Sequence, residues 1–148
     1  MTYVKALLIS LVALFGYPAV AGPYTTAAGT CLTDNTTGKE RKELARWIFM
    51  AMAAHPEMRD LTTASAEARD KTDQSMGKLV TRLLSENCAA QTRAAVKNEG
   101  SESLKAAFGI LGQLAMQEIM SNAEVNASIG GFEKYLDKQK LESALSTK

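Results

Sequence analysis

The stretch ELARWIFMAMAAHPEM, residues 43–58, indicates the fold of this chain. From Leu44 to Ala54 it contains one charged residue, Arg46, together with the only tryptophan of the chain, and it runs into the only histidine and a proline. Its apolar residues recur at the 3.6-residue spacing of a helix, and others occupy the opposite face. We therefore predict a core helix over Gly38–Ala54, buried on all sides in its last three turns and ended by Pro56.

The rest of the sequence also favours helix. Alanine is abundant, β-branched residues are sparse and no stretch alternates with the period of a strand. We predict an all-α protein, a single compact bundle of five or six helices. Thr37 and Glu40 have the spacing of a capping box. Further helices are predicted from Thr63 or Ser65 to about Ser85, from Asn87 or Cys88 to Lys97, over Ser101–Ser121, and over Gly131–Leu145. Residues 123–129 are predicted to form a short helix or a turn. Whether the second helix continues through Glu86 and Asn87 stays open.

Three packing predictions accompany these helices. The Gly- and Thr-rich stretch 22–38 is predicted to be extended or looped. Gly109 and Gly112, which each cost a helix ~1 kcal/mol relative to alanine, indicate close packing of another helix, with Trp47 buried against Phe108. The last helix is predicted to direct its apolar side chains inward, namely Phe132, Tyr135, Leu136, Leu141 and Leu145.

The amino-terminal residues have the features of a secretory signal peptide. A short segment with Lys5 precedes an apolar run, and Ala19-Val20-Ala21 is a small-residue cleavage signal. We predict residues 1–21 as the signal peptide, cleavage after Ala21, and a mature helical domain over residues 22–148 in the periplasm. No other stretch approaches the length of a membrane span, so no membrane insertion is expected after cleavage.

The charges of the mature chain are balanced. Lys5 is the only charged residue before the predicted cleavage site, which leaves sixteen basic and sixteen acidic side chains. This balance gives no electrostatic footprint for nucleic acid. The longest charged cluster, residues 39–43, mixes both signs and is typical of a solvated helix face.

The two cysteines predict one disulfide. Cys31 and Cys88 are an even pair in a chain expected in an oxidising compartment. A bridge between them contributes ~4 kcal/mol in the chain-entropy model. Two cysteines and one histidine are too few soft ligands for a closed zinc site, so we predict no metal site and no cofactor.

The chain lacks a recognisable catalytic set. No Gly-x-Ser-x-Gly, His-Glu-x-x-His or phosphate-binding glycine loop occurs, and Ser75 and Lys78 have the Ser-x-x-Lys spacing without the rest of that motif. No Asp or Glu lies in an apolar run that would raise its pKa. We predict a non-enzymatic protein without catalytic residues.

Recognition of another protein is then the expected activity. His55 is predicted to cap the carboxyl end of the core helix. The charged turn that follows is held by that helix, and rigidly held loops commonly carry recognition. The predicted partner-binding residues are this turn and the polar start of the second helix: Glu57, Met58, Arg59, Asp60, Glu67, Arg69 and Asp70. A second patch on the last helix is an equal alternative: Lys134, Asp137 and Lys138.

Two stretches, LARWIFMAMAAHPEM (44–58) and GFEKYLDKQKLESAL (131–145), resemble those of small periplasmic proteins of gammaproteobacteria. With its signal peptide, helices and two spaced cysteines, the chain resembles small periplasmic immunity proteins. These protect proteobacteria against antibacterial effectors delivered by type VI or type IV secretion systems. The resemblance implies one cognate protein partner, a secreted effector that this chain binds and neutralises. It carries no binding residue onto a named position.

Two other functions stay open. Small periplasmic acid-stress chaperones are also helical, with two bridged cysteines, and this chain would titrate through its carboxylates below about pH 5. The methionines suit adaptable surfaces, although they also fill cores. The other alternative is a structural protein of the envelope. The sequence does not predict the oligomeric state.

Overall fold

The computed structural model describes residues 21–146; residues 1–20, which hold most of the predicted signal peptide, and residues 147–148 lie outside the described residues. Within 21–146 all regular structure is helical. The α-helices are α1 (Pro23–Asp34), α2 (Gly38–Met52), α3 (Ala66–Arg82), α4 (Ala89–Glu99), α5 (Glu102–Met120), α6 (Ala123–Gly130) and α7 (Lys138–Leu145). Two 3-10 helices (Pro56–Leu61, Gly131–Tyr135) and a π-helical turn (Leu83–Asn87) complete them. The all-α class is confirmed, but the described residues form seven α-helices, more than the five or six predicted.

The additional helix is α1, and the prediction of a loop over residues 22–38 was wrong. Pro23 occupies the first turn, where its fixed φ suits a helix. Thr25, Ala28 and Leu32 are buried at helical spacing and face α4 and α5, both of which pack on α1. This packing outweighs the weak helix propensity of the threonines and glycine.

Helix α5 is the centre of the bundle. It packs against α1, α2 and α4, while α3 packs against α2. Helices α1 and α4 are antiparallel, because Glu99 reaches the start of α1 while Cys31 and Cys88 join the opposite ends. Trp47 on α2 donates to Asp73 on α3 across a second antiparallel pair. The buried core comprises Ala28, Leu32, Leu44, Ala45, Met76, Leu79, Leu83, Cys88, Ala95, Ala107, Leu111 and Ala115.

The predicted disulfide is present. Cys31 and Cys88 are bonded, with their Cα atoms 5.8 Å apart and Cys88 fully buried. The backbone N–H of Cys88 donates to Leu83 O and closes the π-helical turn. The chain therefore stays helical through Glu86 and Asn87, and the break before α4 falls at Cys88.

The capping box at the start of α2 is also confirmed, with Thr37 and Glu40 exchanging their hydrogen bonds. The charged cluster 39–43 is more than a solvated face, however. Arg41 pairs with Glu118 of α5 at 2.7 Å, and Glu40 pairs with Arg82 of α3 at 2.6 Å. These half-buried pairs tie the start of α2 to two other helices.

The glycines that permit close helix packing differ from those predicted. A Cβ added at Gly109 or Gly112 would meet nothing within 4 Å, so neither residue marks a close approach. A Cβ at the buried Gly29 of α1 would lie 3.0 Å from the Cβ of Ile110 on α5. The close contact therefore lies between α1 and α5, on a helix that the sequence did not predict.

The end of α2 is less buried than predicted. Trp47 is half-buried and packs against the core, but Phe49 and Met52 remain 52% and 54% exposed. Helices α3 and α5 cover two sides of α2 and leave this side open. The prediction of all-round burial was therefore wrong.

The C-terminal segment, residues 123–146, also departs from the prediction. It is split into α6, the second 3-10 helix and α7, and none of its residues is buried. The apolar side chains that were predicted to point inward are exposed: Phe132, Tyr135, Leu136, Leu141 and Leu145. Ile129 of α6 is exposed as well. Because α1, α2 and α4 already surround α5, the core is complete without this segment. In residues 21–146 no helix is both long and apolar enough to span a bilayer.

Candidate protein-binding surface

Four exposed apolar side chains lie close together in sequence where α2 ends and the first 3-10 helix follows. They are Phe49, Met52, Met58 and Leu61, with exposed fractions of 47–78%. Charged Glu57, Arg59 and Asp60 occupy the same 3-10 helix and are exposed. We call these seven residues the 49–61 surface. Exposed apolar side chains with charged residues beside them in the sequence are typical of a site that binds another protein.

Local hydrogen bonds fix the backbone of this surface. His55 Nδ1 accepts from the backbone N–H of Glu57 at 3.2 Å, and Met58 N donates to His55 O at 2.9 Å. His55 is thus a cap, as predicted, but it caps the start of the 3-10 helix as an acceptor rather than the end of α2. Pro56 follows at the first 3-10 position, where its lack of an N–H costs no hydrogen bond.

Two side-chain hydrogen bonds join α2, which carries part of this surface, to α3. Arg69 donates to the carbonyl of Met50 at 2.6 Å, which satisfies one of the last carbonyls of α2. One turn further from the end, Trp47 Nε1 donates to Asp73 at 2.8 Å. These two hydrogen bonds hold the end of α2 against α3, so the backbone that carries the exposed side chains of α2 is fixed in position.

The structure places the seven predicted partner-binding residues in three settings. Glu57, Met58, Arg59 and Asp60 share one 3-10 helix and are all exposed. Glu67 and Asp70 are exposed on α3. Asp70 accepts from Gln74, while the half-buried Arg69 is engaged with α2 as described above and holds the fold.

Glu67 also lines a groove between α2 and α3. The groove has a volume of about 480 Å³. Its charged lining side chains alternate in sign: Glu43, Arg46, Glu67 and Lys71. A groove with both signs suits a polar or zwitterionic protein segment rather than a single anion or cation.

Within residues 21–146 no three His, Cys, Asp or Glu side chains are arranged to hold a metal ion, and both cysteines of the chain are in the disulfide. The imidazole of His55 already uses Nδ1 to cap a backbone N–H. What the surface offers a partner is apolar area, backbone rigidity and a rim of mixed charge.

Sequence reasoning found the turn at residues 57–60 but missed its apolar neighbours. Phe49 and Met52 were assigned to the core because α2 is apolar on several faces. Leu61, the last residue of the 3-10 helix, is exposed next to the predicted turn. The length of the apolar run after Arg46 was the available signal, since a 15-residue helix packed against only two others leaves one face open.

The second predicted patch, Lys134, Asp137 and Lys138, lies in the exposed C-terminal segment. Asp137 caps α7 by accepting from Lys140 N, and Lys134 lies over the ring of Tyr135 with Nζ 4.9 Å from its centroid. Six exposed apolar residues surround these charges in sequence. This segment is therefore a second candidate surface.

Comparison of the chain with known protein families, curated proteins and solved structures found no match.

Proposed function

We propose that this protein is a non-enzymatic binding protein that recognises one cognate protein through the 49–61 surface. The observation that carries the proposal is the exposure of Phe49, Met52, Met58 and Leu61 on a backbone fixed by hydrogen bonds to His55 and from Arg69. Full burial of one such side chain contributes ~1.5–3 kcal/mol. Since Phe49, Met52 and Met58 are about half exposed and Leu61 is 78% exposed, covering all four offers ~3–7 kcal/mol before the cost of association.

The partner is expected to present an apolar centre and charges of both signs at its edge. Glu57 and Asp60 on the rim suit basic groups of the partner, and Arg59 suits an acidic one. Met58 is flexible and polarisable, which allows it to fill an irregular pocket. Contacts of this kind place specificity in the charged rim and most of the affinity in the apolar centre.

Our specific proposal is that the partner is a secreted antibacterial effector and that this chain neutralises it in the periplasm as an immunity protein. The predicted signal peptide, the disulfide and the resemblance of residues 44–58 and 131–145 to periplasmic proteins support it. So does the lack of a recognisable catalytic motif, which leaves surface recognition as the available activity. Turnover of cell-wall fragments, phospholipids or peptides that is lost with one Asp or Glu substitution would overturn the non-enzymatic reading.

The test is protection of cells that express a candidate effector in the periplasm, chosen as the secreted protein encoded beside this chain. Co-expression of the wild-type protein should rescue growth, and a stoichiometric complex should be recovered. Leu61→Ser should weaken binding by ~10- to 100-fold, as expected for loss of one apolar anchor. Leu145→Ser is the matched control, because Leu61 and Leu145 are 78% and 77% exposed.

The two variants separate the candidate surfaces. Loss of binding in Leu145→Ser with full binding by Leu61→Ser would assign the contact to the C-terminal segment and refute the 49–61 surface. Equal killing with and without the wild-type protein, together with no complex, would refute the immunity function.

A holding chaperone of the acid-stress type is the second candidate, and one observation favours it. Two carboxylates join helices across the bundle, Glu40 to Arg82 of α3 and Glu99 to the start of α1. Their hydrogen bonds, chiefly from Thr37 and Thr25 respectively, hold the pKa of both carboxyls below the ordinary value. Protonation in strong acid would weaken both connections, which loosens the packing of α2 on α3 and of α1 on α4. Suppression of the aggregation of unrelated proteins at pH 3, but not at pH 7, would replace the immunity function with this one.

A further inference from the structure

Glu99, the last residue of α4, caps the amino end of α1 with its carboxylate. Its carboxylate accepts from Tyr24 N at 2.9 Å, from Thr25 N at 2.8 Å and from the Thr25 hydroxyl. The N-cap residue of α1, Gly22, has no side chain and makes no capping hydrogen bond. Glu99 therefore performs from another helix the capping that a local Ser or Asp usually performs.

Gly22 also lies directly against this carboxylate. A Cβ added to Gly22 would lie 2.7 Å from Glu99 Oε2 and closer still to Oε1. Because a Cβ is about 2.5 Å from its own backbone nitrogen, the nitrogen of Gly22 lies within ~5 Å of the carboxylate. The cleft around them is also lined by Ala21, Glu102 and Lys105.

The predicted cleavage after Ala21 changes the charge of this nitrogen. In the precursor it is a neutral amide, whereas in the mature chain it is a terminal α-ammonium. A terminal residue can rotate freely about its Cα–C bond, so the ammonium can close the remaining distance to the carboxylate. Opposite charges at such a distance attract each other.

We propose that Glu99 receives the new amino terminus of Gly22 after signal-peptide cleavage, forming an ion pair that joins α1 to α4 only in the mature protein. The bundle then becomes more stable at the step that releases it from the signal peptide. This inference rests on cleavage after Ala21 and is independent of the partner and function proposed above.

The neighbouring charges define the expected pH dependence. Glu102 adds to the attraction for the ammonium, whereas Lys105 and the positive amino end of the α1 dipole oppose it. With Glu99 as the dominant partner, the α-amino pKa lies above the ~7.7–8.0 of a free amino terminus. A group whose pKa is raised by folding stabilises the protein fully below its unfolded pKa, and that stabilisation is lost as the pH rises through the folded value.

The experiment uses the mature protein purified from the periplasm, with its first residue established by intact mass. Selective acetylation of the α-amino group removes the charge without lengthening the chain. At pH 7 acetylation should lower the Tm by ~1–4 °C in the wild type, as expected for one exposed ion pair in a domain of this size. It should have no effect in Glu99→Gln. Glu102→Gln is the matched control, because Glu102 lines the same cleft, and it should keep most of the wild-type response.

NMR titration of the α-amino group provides a readout that does not depend on Tm. Its pKa should lie above the range of free amino termini in the wild type and within that range in Glu99→Gln. An unshifted pKa in the wild type, an equal Tm loss on acetylation in wild type and Glu99→Gln, or a mature protein that begins at another residue would each overturn the proposal.

Discussion

Substitution of Gly29 tests a close contact between α1 and α5. A Cβ at this position would lie 3.0 Å from the Cβ and 3.2 Å from the Cγ1 of Ile110 on α5. The Cδ1 of Ile110 lies closer still, but it is the end of the side chain and can turn away; the Cβ is attached to the backbone of α5, which must shift by a few tenths of an ångström to admit a methyl group. Overpacking of this kind costs ~1–3 kcal/mol, and alanine in place of glycine returns ~1 kcal/mol of helix propensity. We expect Gly29→Ala to lower the free energy of unfolding by up to ~2 kcal/mol.

Gly109→Ala is the matched control for this prediction. Gly109 also lies inside a helix, but a Cβ there would meet nothing within 4 Å. It should therefore gain helix propensity without overpacking and raise the free energy of unfolding by ~0.5–1 kcal/mol. Urea denaturation of the oxidised proteins, followed by circular dichroism at unchanged m-value, measures both changes.

A double-mutant cycle tests whether contact with Ile110 causes the loss of stability in Gly29→Ala. Ile110→Ala removes Cγ1 and Cδ1 from α5, so Gly29→Ala should cost less in that background than in the wild type. Gly29→Ala at least as stable as the wild type, or an equal cost in both backgrounds, would refute close packing of α1 on α5 at Gly29.

Three further predictions concern the rest of the bundle. Replacing both Cys31 and Cys88 with serine should lower the free energy of unfolding by ~4 kcal/mol, and two free thiols in the non-reduced mature protein would contradict the bridge. The lowered pKa of Glu40 means that its stabilisation is present above its ordinary value of 4.5 and is lost as the pH falls through the folded value. Glu40→Gln should therefore lose less stability than the wild type between pH 7 and pH 3, by up to ~1 kcal/mol, and parallel pH profiles would exclude this role. Trp47→Ala should lower the free energy of unfolding by ~2–3 kcal/mol. This is less than the ~3–5 kcal/mol expected for a fully buried aromatic residue, because Trp47 is half-buried. A loss below ~1 kcal/mol, measured by calorimetry, would show that the packing of Trp47 contributes little to stability.

The predicted features that the structure confirmed are mostly local in sequence. The capping box of Thr37 and Glu40 depends on three consecutive peptide units, and Ser65 caps α3 through the N–H of Ala68. Such signals act within one helical turn, so they can be recognised without the rest of the fold. The disulfide followed from the number of cysteines and the expected compartment rather than from geometry.

The candidate surface could be predicted only in part, because exposure depends on which helices pack together. The charged turn at 57–60 followed from Pro56 and the polar residues beside it. Phe49 and Met52 belong to a helix with several apolar faces, and no sequence pattern states which face a neighbour covers. The tertiary structure decided this by packing α3 and α5 on two sides of α2 and leaving the third open.

The sequence by itself therefore determined the helical class, most helix starts and the cysteine pair, since these depend on short-range hydrogen bonds and composition. Only the tertiary structure decided that residues 23–34 are helical, because their cap, Glu99, lies 74 positions from Thr25. It also decided that Gly29 rather than Gly109 allows close packing, and that the C-terminal segment stays exposed. Each of these outcomes depends on contacts between residues distant in the chain, and neither the spacing of apolar residues nor the propensity of a single segment contains that information.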